Sequence, residues 1–206
     1  MKRINARQIQ EHSQSIEKRS VYRFWNVKAP STEDLGAEPT LADFEKIEQE
    51  RYDREPFIHE AAQFSRSHGK KVLEVGCGAG TDFLQFVRAG AHAIGVDLTE
   101  TAVLTTKRRL ELYNVAAPLV QGDAECLPFR DRTFDFIYSW GVLHHTPRTD
   151  QAVREIHRLL KPGGKACVML YHKPAWYYLK MFYVWLKKGD FSRVPFKKYV
   201  EEETDR

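Results

Sequence analysis

The strongest constraint on this chain is the stretch Val72-Leu73-Glu74-Val75-Gly76-Cys77-Gly78-Ala79-Gly80, an apolar run that ends in an acid and three alternating glycines. A short β-branched and leucine run bounded by glycine reads as a buried strand, and Thr81–Val87 behind it has helical spacing. A strand that turns into a helix through Gly-x-Gly-x-Gly carries bare backbone to its C-terminal end, where a ligand can lie without a Cβ in its way. A plain strand-to-helix turn also uses glycine, so the loop alone leaves both readings open.

The spacing narrows the ligand. A dinucleotide fingerprint needs Gly-x-Gly-x-x-Gly, with the pyrophosphate on the helix N-terminus. Here the third glycine comes one residue early and Thr81 holds the last position, while Glu74 would set a negative charge beside any phosphate. A ligand without phosphates and with a positive centre suits this loop better, which disfavours an NAD-dependent oxidoreductase. The next predicted strand, Ala91–Val96, ends at Asp97, which parallel-sheet geometry brings to the same crevice. A carboxylate there can accept both hydroxyls of a ribose, although Asp97 or Thr99 could instead cap the predicted helix Glu100–Tyr113.

Further strands are predicted at Pro118–Gln121, Phe134–Ser139 and Lys165–Tyr171. An amphipathic helix over Thr149–Leu160 carries Val153, Ile156, Leu159 and Leu160 on one face and stops at Lys161-Pro162-Gly163-Gly164. Read together, VLEVGCGAGTD, GVDLT, GDAECLPF, YSWGVLHHTP and LLKPGG make the run from about Lys70 to Tyr171 resemble the class I S-adenosylmethionine-dependent methyltransferases, in the bacterial small-molecule (type 11-like) branch. The segments IEQERYDREPFI before this run and YHKPAWYY after it resemble the same branch less specifically.

The resemblance implies an α/β fold: a Rossmann-like, doubly wound parallel sheet of order 3-2-1-4-5 with an N-terminal helical cap. It implies S-adenosyl-L-methionine as cofactor, S-adenosyl-L-homocysteine as product and a small-molecule acceptor. Glu74, Gly76, Cys77, Gly78 and Gly80 would line the methionine end, and Asp97 with Leu98 the ribose. Asp123 and the Ala124 backbone would meet the adenine, and Ser139 with Trp140 the methionine moiety. His145, with His144 second, is the candidate general base for an acceptor that must lose a proton. A cofactor-binding protein without transferase activity is the alternative.

Composition fits one core. The 206 residues, 42% of them apolar, suffice to bury a substantial interior. Basic and acidic residues (32 and 28) are mixed along the chain, so the net charge of +4 does not point to nucleic acid. The basic start, with Lys2, Arg3, Arg7, Lys18, Arg19 and Arg23, reads as a solvated or frayed terminal helix. Cys77, Cys126 and Cys167 form no metal or redox spacing, and the histidines no helical ligand pair, which suggests reduced thiols in the cytoplasm and no metal. No apolar run reaches the ~20 residues a membrane span requires, and the polar N-terminus does not read as a signal peptide.

Three segments are expected: a helical cap (1–69), the cofactor-binding core (70–171) and an aromatic-rich tail (172–206). Helices are predicted over Thr40–Glu50 and Pro56–Ser67, and Tyr22, Phe24, Trp25 and Tyr52 are candidates for a lid over a sulfonium. The aromatics of Pro174–Lys188 exceed what one core-facing stripe needs. They keep open self-association and a peripheral lipid contact. The family's final antiparallel hairpin has no counterpart in Phe191–Arg206, so the chain is expected to stop short of it and to leave the fifth strand at an edge.

Overall fold

Glycine and β-branched patterning place five parallel strands in the order β3-β2-β1-β4-β5. The computed structural model describes residues 17–27, 35–36 and 38–171. Helix α1 covers 17–27; α2 is Leu41–Arg54, α3 Ile58–Ala62, α4 Thr81–Arg88, α5 Glu100–Leu112 and α6 Thr149–Leu159. The strands are β1 Lys71–Val75, β2 His92–Asp97, β3 Leu119–Gln121, β4 Phe134–Trp140 and β5 Leu160–Met169. The aromatic stretch Pro174–Lys188, and the expectation that no final hairpin follows it, lie outside the described residues.

β1 runs at the centre, paired with β2 on one side and β4 on the other, and all its residues after Lys71 are buried. Because successive side chains point to opposite faces, β1 feeds two cores. Val72 joins Phe83, Phe86 and Tyr138 on the α4 side. Leu73 and Val75 join Ile137, Leu143, Ile156 and Leu159 on the α6 side. Glu74 alternates onto the Val72 face, opposite Tyr138 in the β1–β4 register. That alternation aims a carboxyl group at the start of α4.

Three local readings change. The predicted Pro56–Ser67 helix is α3 followed by a short 3₁₀ turn at Phe64–Arg66, because Gln63 between them is left-handed at φ 51°. The inward face of α6 is Ala152, Glu155, Ile156 and Leu159, an i, i+3, i+4, i+7 set, and Val153 is 46% exposed. β5 starts at Leu160, directly from α6, rather than after Pro-Gly-Gly. A register shift between Phe134 and Phe136 absorbs Pro162, Gly163 and Gly164 as a bulge.

α2 begins with a capping box in which Thr40 and Asp43 satisfy each other's backbone N–H. Its buried residues are Phe44 and Ile47. Among the described residues no helix is long and apolar enough to cross a membrane, and no cluster of His, Cys, Asp or Glu could hold a metal ion.

Candidate functional site

A cavity of about 170 Å³ opens at the carboxyl ends of β1, β2 and β4. The glycine loop forms its floor, with the Gly76 N–H donating to Val96 O at 2.7 Å. The glycines have different jobs. A Cβ on Gly76 would fall 2.2 Å from Val142 Cγ2, so this position is demanded by packing. A Cβ on Gly78 would meet nothing within 4 Å and would project into open space, at φ +53°. Gly78 thus leaves backbone bare toward the cavity.

Asp97 ties the end of β2 to that loop. Its Oδ2 accepts from the Gly78 N–H at 3.0 Å, and its Oδ1 accepts from the N–H and the hydroxyl of Thr99, each at 3.0 Å. Thr99 is the N-cap of α5, accepting from the Ala102 N–H. The cap and the cavity carboxylate are therefore neighbouring residues in one network. Burial raises the Asp97 carboxyl above its ordinary range, against these hydrogen bonds.

One end of the cavity is built on Asp82, in the first turn of α4 and 3% exposed. Its carboxylate accepts from Arg51 Nε at 3.0 Å, Arg51 Nη2, the Tyr52 hydroxyl at 3.0 Å and the Tyr138 hydroxyl at 2.8 Å. Saturated in this way, Asp82 fixes Arg51 at the cavity wall beside Glu74. Glu74 is 4% exposed, and its Oε2 has no hydrogen-bond partner among the described residues. Burial first, then the Asp82 charge, pushes its carboxyl well above the usual range, opposed by Arg51.

The other end gathers charge on the loop after β3. Lys18 Nζ of α1 bonds Asp123 Oδ2 and, at 2.7 Å, Glu125 Oε2. Arg148 closes the group through its backbone N–H and its Nε, which donate to Glu125 at 2.9 and 3.0 Å. α1 continues across the mouth: the Thr101 hydroxyl donates to Asn26 Oδ1 at 3.0 Å, and Trp25 meets the His145 ring edge-on at 4.6 Å. Trp140 lines the opposite wall, its indole N–H donating to Glu55 at 3.3 Å.

A methyltransferase-domain family model matches residues 73–168. An uncharacterized methyltransferase of Synechocystis is 31% identical over 158 residues, 76% of this chain and 70% of that protein. The chain belongs to this methyltransferase family. A fatty-acid O-methyltransferase of Mycolicibacterium smegmatis is 38% identical over 123 residues, 58% of this chain but 43% of the relative. The chain spans less than half the length of that relative and of two demethylmenaquinone methyltransferases, of which it covers 45% and 49%. Among solved structures, the YcgJ protein of Bacillus subtilis superposes with a TM-score of 0.53 at 31% identity, over 57% of this chain and 53% of that one. The [4+2]-cyclase SpnF superposes with a TM-score of 0.50 at 26% identity, over 53% and 43%.

Family and fold imply a cofactor of the S-adenosylmethionine type, and two features of the cavity fit one: the open backbone at Gly78 and the unpartnered oxygen of Glu74. Of the site residues read from the methyltransferase motifs, Glu74, Gly76, Cys77, Gly78, Asp97, Leu98, Asp123, Ala124, Trp140 and His145 line the cavity. Gly80, Ser139 and His144 do not. Gly80 packs on Thr106 as it starts α4. Ser139 is fully buried and donates to Val75 O at 2.9 Å, so it braces the strand behind the loop. His144 turns its ring nitrogens into the protein within the 3₁₀ turn Leu143–His145.

Of the lid candidates, Trp25 reaches the cavity, Phe24 packs edge-on against it at 4.9 Å, and Tyr52 serves Asp82 instead. Sequence reasoning missed Lys18, Arg51 and Asp82. Asp82 had a signal, an acid in the first turn behind a glycine loop. Lys18 had none.

Proposed function

We propose that the chain binds one S-adenosylmethionine in this cavity and directs its methyl group to a small, apolar acceptor. The observation that carries this reading is the row of carboxylates Glu74, Asp97 and Asp123 along a wall whose centre is bare backbone at Gly78. Such a wall suits a ligand bearing an ammonium, a diol and an exocyclic amine, and it opposes the pyrophosphate of a dinucleotide. When bound, the cofactor supplies a methyl group on a sulfonium, open to in-line attack. Glu74 and Arg51 offer opposite charges to the methionine end, Asp97 accepts from the ribose, and Asp123 with the Ala124 backbone meets the adenine. Trp25 and Trp140 present aromatic rings of the kind that attract a cation. Positioning by these groups supplies most of the acceleration, and His145 takes the proton of a hydroxyl acceptor.

Relatives named for fatty-acid, demethylmenaquinone and sterol methylation support an apolar acceptor. Val21, Trp25, Val142 and Pro147 give the cavity side chains to match. In this reading the cap (1–69) contributes Lys18, Trp25 and Arg51 to walls otherwise built from the core (70–171). We also infer a reducing, cytoplasmic setting, supported by the free thiols of Cys77, Cys126 and Cys167. A second reading, cofactor binding in the service of other chemistry, is favoured by the likeness to a [4+2]-cyclase.

Calorimetry with S-adenosylhomocysteine tests the site. One molecule per chain is expected, with no heat from NAD and none from Gly78→Val, whose side chain would fill the ligand's space. Binding of NAD in preference would overturn the assignment. Labelled S-adenosylmethionine with pools of apolar alcohols, acids and quinols tests the reaction. Transfer should appear and fall ~10²-fold or more in His145→Ala with cofactor affinity kept. Cofactor binding with no transfer to any pool selects the second reading.

A further inference from the structure

Glu74 sits in a pocket of charge that the described residues do not balance. Three buried or largely buried carboxyl groups converge there from three elements: Glu74 of β1, Asp82 of α4 and Asp97 of β2. Among the described residues the cation facing them is Arg51 of α2, and its guanidinium is committed to carboxyls other than Glu74. Its Nε and Nη2 both donate to Asp82, and its Nη1 lies 3.6 Å from Glu55. The nearby hydroxyls of Tyr52 and Tyr138 also donate to Asp82. Lys18, the cavity's other cation, pairs with Asp123 and Glu125. Cys77 in the loop stays a neutral thiol, burial first and then the Asp97 charge holding its ionisation well above the ordinary range.

Of the three carboxyls, Asp82 accepts from four donors and Asp97 from three. Glu74 Oε2 has none and is sealed from solvent. A buried carboxylate with an unpartnered oxygen beside two other negative charges is the costliest arrangement of the set. The proton therefore resides on Glu74.

We propose that Glu74 is a carboxylic acid in the ligand-free chain and gives its proton to solvent when the ammonium of the cofactor's methionine end arrives, so that cofactor binding is coupled to release of one proton. The step balances: the carboxyl O–H breaks, the proton leaves to buffer, and the carboxylate is neutralised by the incoming ammonium. The sign follows from linkage. Binding selects the ionised form, so affinity rises with pH from the ordinary carboxylate range, about 4.3, through the raised value of the empty site and levels off above it. The slope within that window approaches about tenfold per pH unit. The inference rests on the cofactor reading above and adds a dependence that no steric account of the site requires.

The test is calorimetry of S-adenosylhomocysteine binding at several pH values between about 5 and 8, in two buffers of different ionisation enthalpy. The unsubstituted chain should give apparent heats that differ between buffers by up to one released proton, with affinity rising in parallel. Glu74→Gln, an isostere of the neutral acid, should fold, bind more weakly and lose the buffer dependence. Asp97→Asn should bind weakly but keep it. Binding with buffer-independent heat and flat affinity across the window overturns the proposal and leaves the cofactor assignment standing. No binding in either buffer at any pH overturns both.

Discussion

The two ends of the cavity treat negative charge in opposite ways. At the Lys18 end, two carboxylates face two cations: Asp123 and Glu125 are met by Lys18 and Arg148. Burial opposes ionisation of Glu125, yet Lys18 and Arg148 together hold it below its ordinary range. At the Arg51 end, among the described residues, Glu74, Asp82 and Asp97 share a single guanidinium, already committed to Asp82, and burial raises Glu74 and Asp97. The first end is finished by the protein. The second waits for a cation from outside, which is what a ligand carrying an ammonium provides.

The largest effect should come from breaking the one finished pair at the unfinished end. Asp82→Ala leaves Arg51, Tyr52 and Tyr138 aimed at a vacated site, the guanidinium keeping only its 3.6 Å approach to Glu55. Removing one partner of a buried pair costs ~3–5 kcal/mol. Urea denaturation should show that loss as a lower midpoint with the slope retained. A change under about 1 kcal/mol, the range of a surface pair, would mean that Asp82 is not the keystone of this end.

How much of this contrast is written in the chain depends on sequence distance. The strand order, the glycine loop and Asp97 at the end of β2 follow from local patterns: period-two apolar runs, glycine punctuation and the parallel-sheet rule for ligand sites. The charge balance does not. Arg51 meets Asp82 across 31 positions and Lys18 meets Asp123 across 105, from helices whose docking no periodicity specifies. Lys18 stands among basic residues that read as solvated, and only the fold turns this one inward. The start of β5 was hidden for another reason: Lys-Pro-Gly-Gly is a stop signal by propensity, and a bulge against β4 overrides it. Gln63 is similar, a non-glycine in the left-handed region that cuts a predicted helix in two.

A smaller effect should follow from the unfinished end's own ionisation. Glu74 and Asp97 are both raised on folding, so the ligand-free chain holds their stabilising contribution below the ordinary carboxylate range and loses it as pH climbs through their raised values. Glu74→Gln removes the larger share, since Glu74 lacks the hydrogen bonds that keep Asp97 charged. The variant should match wild type near pH 4, a value just below the ordinary glutamate range of about 4.3, and exceed it by ~1–3 kcal/mol at the alkaline end, where wild type carries an unpaired buried charge. Thermal melts across the pH range check this. A variant less stable than wild type at alkaline pH would mean that Glu74 has a partner there and that this end is balanced after all.

The smallest effect comes from unbalancing the finished end. Lys18→Met keeps the aliphatic stem but leaves Glu125 with Arg148 alone and takes away the cation that Asp123 pairs with. Lys18 and Asp123 side chains are each 28% exposed, so solvent screens much of the loss and about 1 kcal/mol is expected. The pH dependence is the sharper readout. Glu125 is depressed in the fold, so its contribution is present above the unfolded value and fades as pH falls through the folded one. Removing Lys18 shrinks that contribution, so the gap in melting temperature between variant and wild type should be widest near neutrality and close on acidification. The sign is the reverse of that for Glu74→Gln: both gaps open as pH rises, but Lys18→Met falls below wild type whereas Glu74→Gln, which removes a carboxyl that is raised rather than depressed, rises above it. A Lys18→Met gap that persists unchanged at acid pH would assign Lys18 a packing role on α1, and the contrast between the two ends would then rest on burial without charge balance.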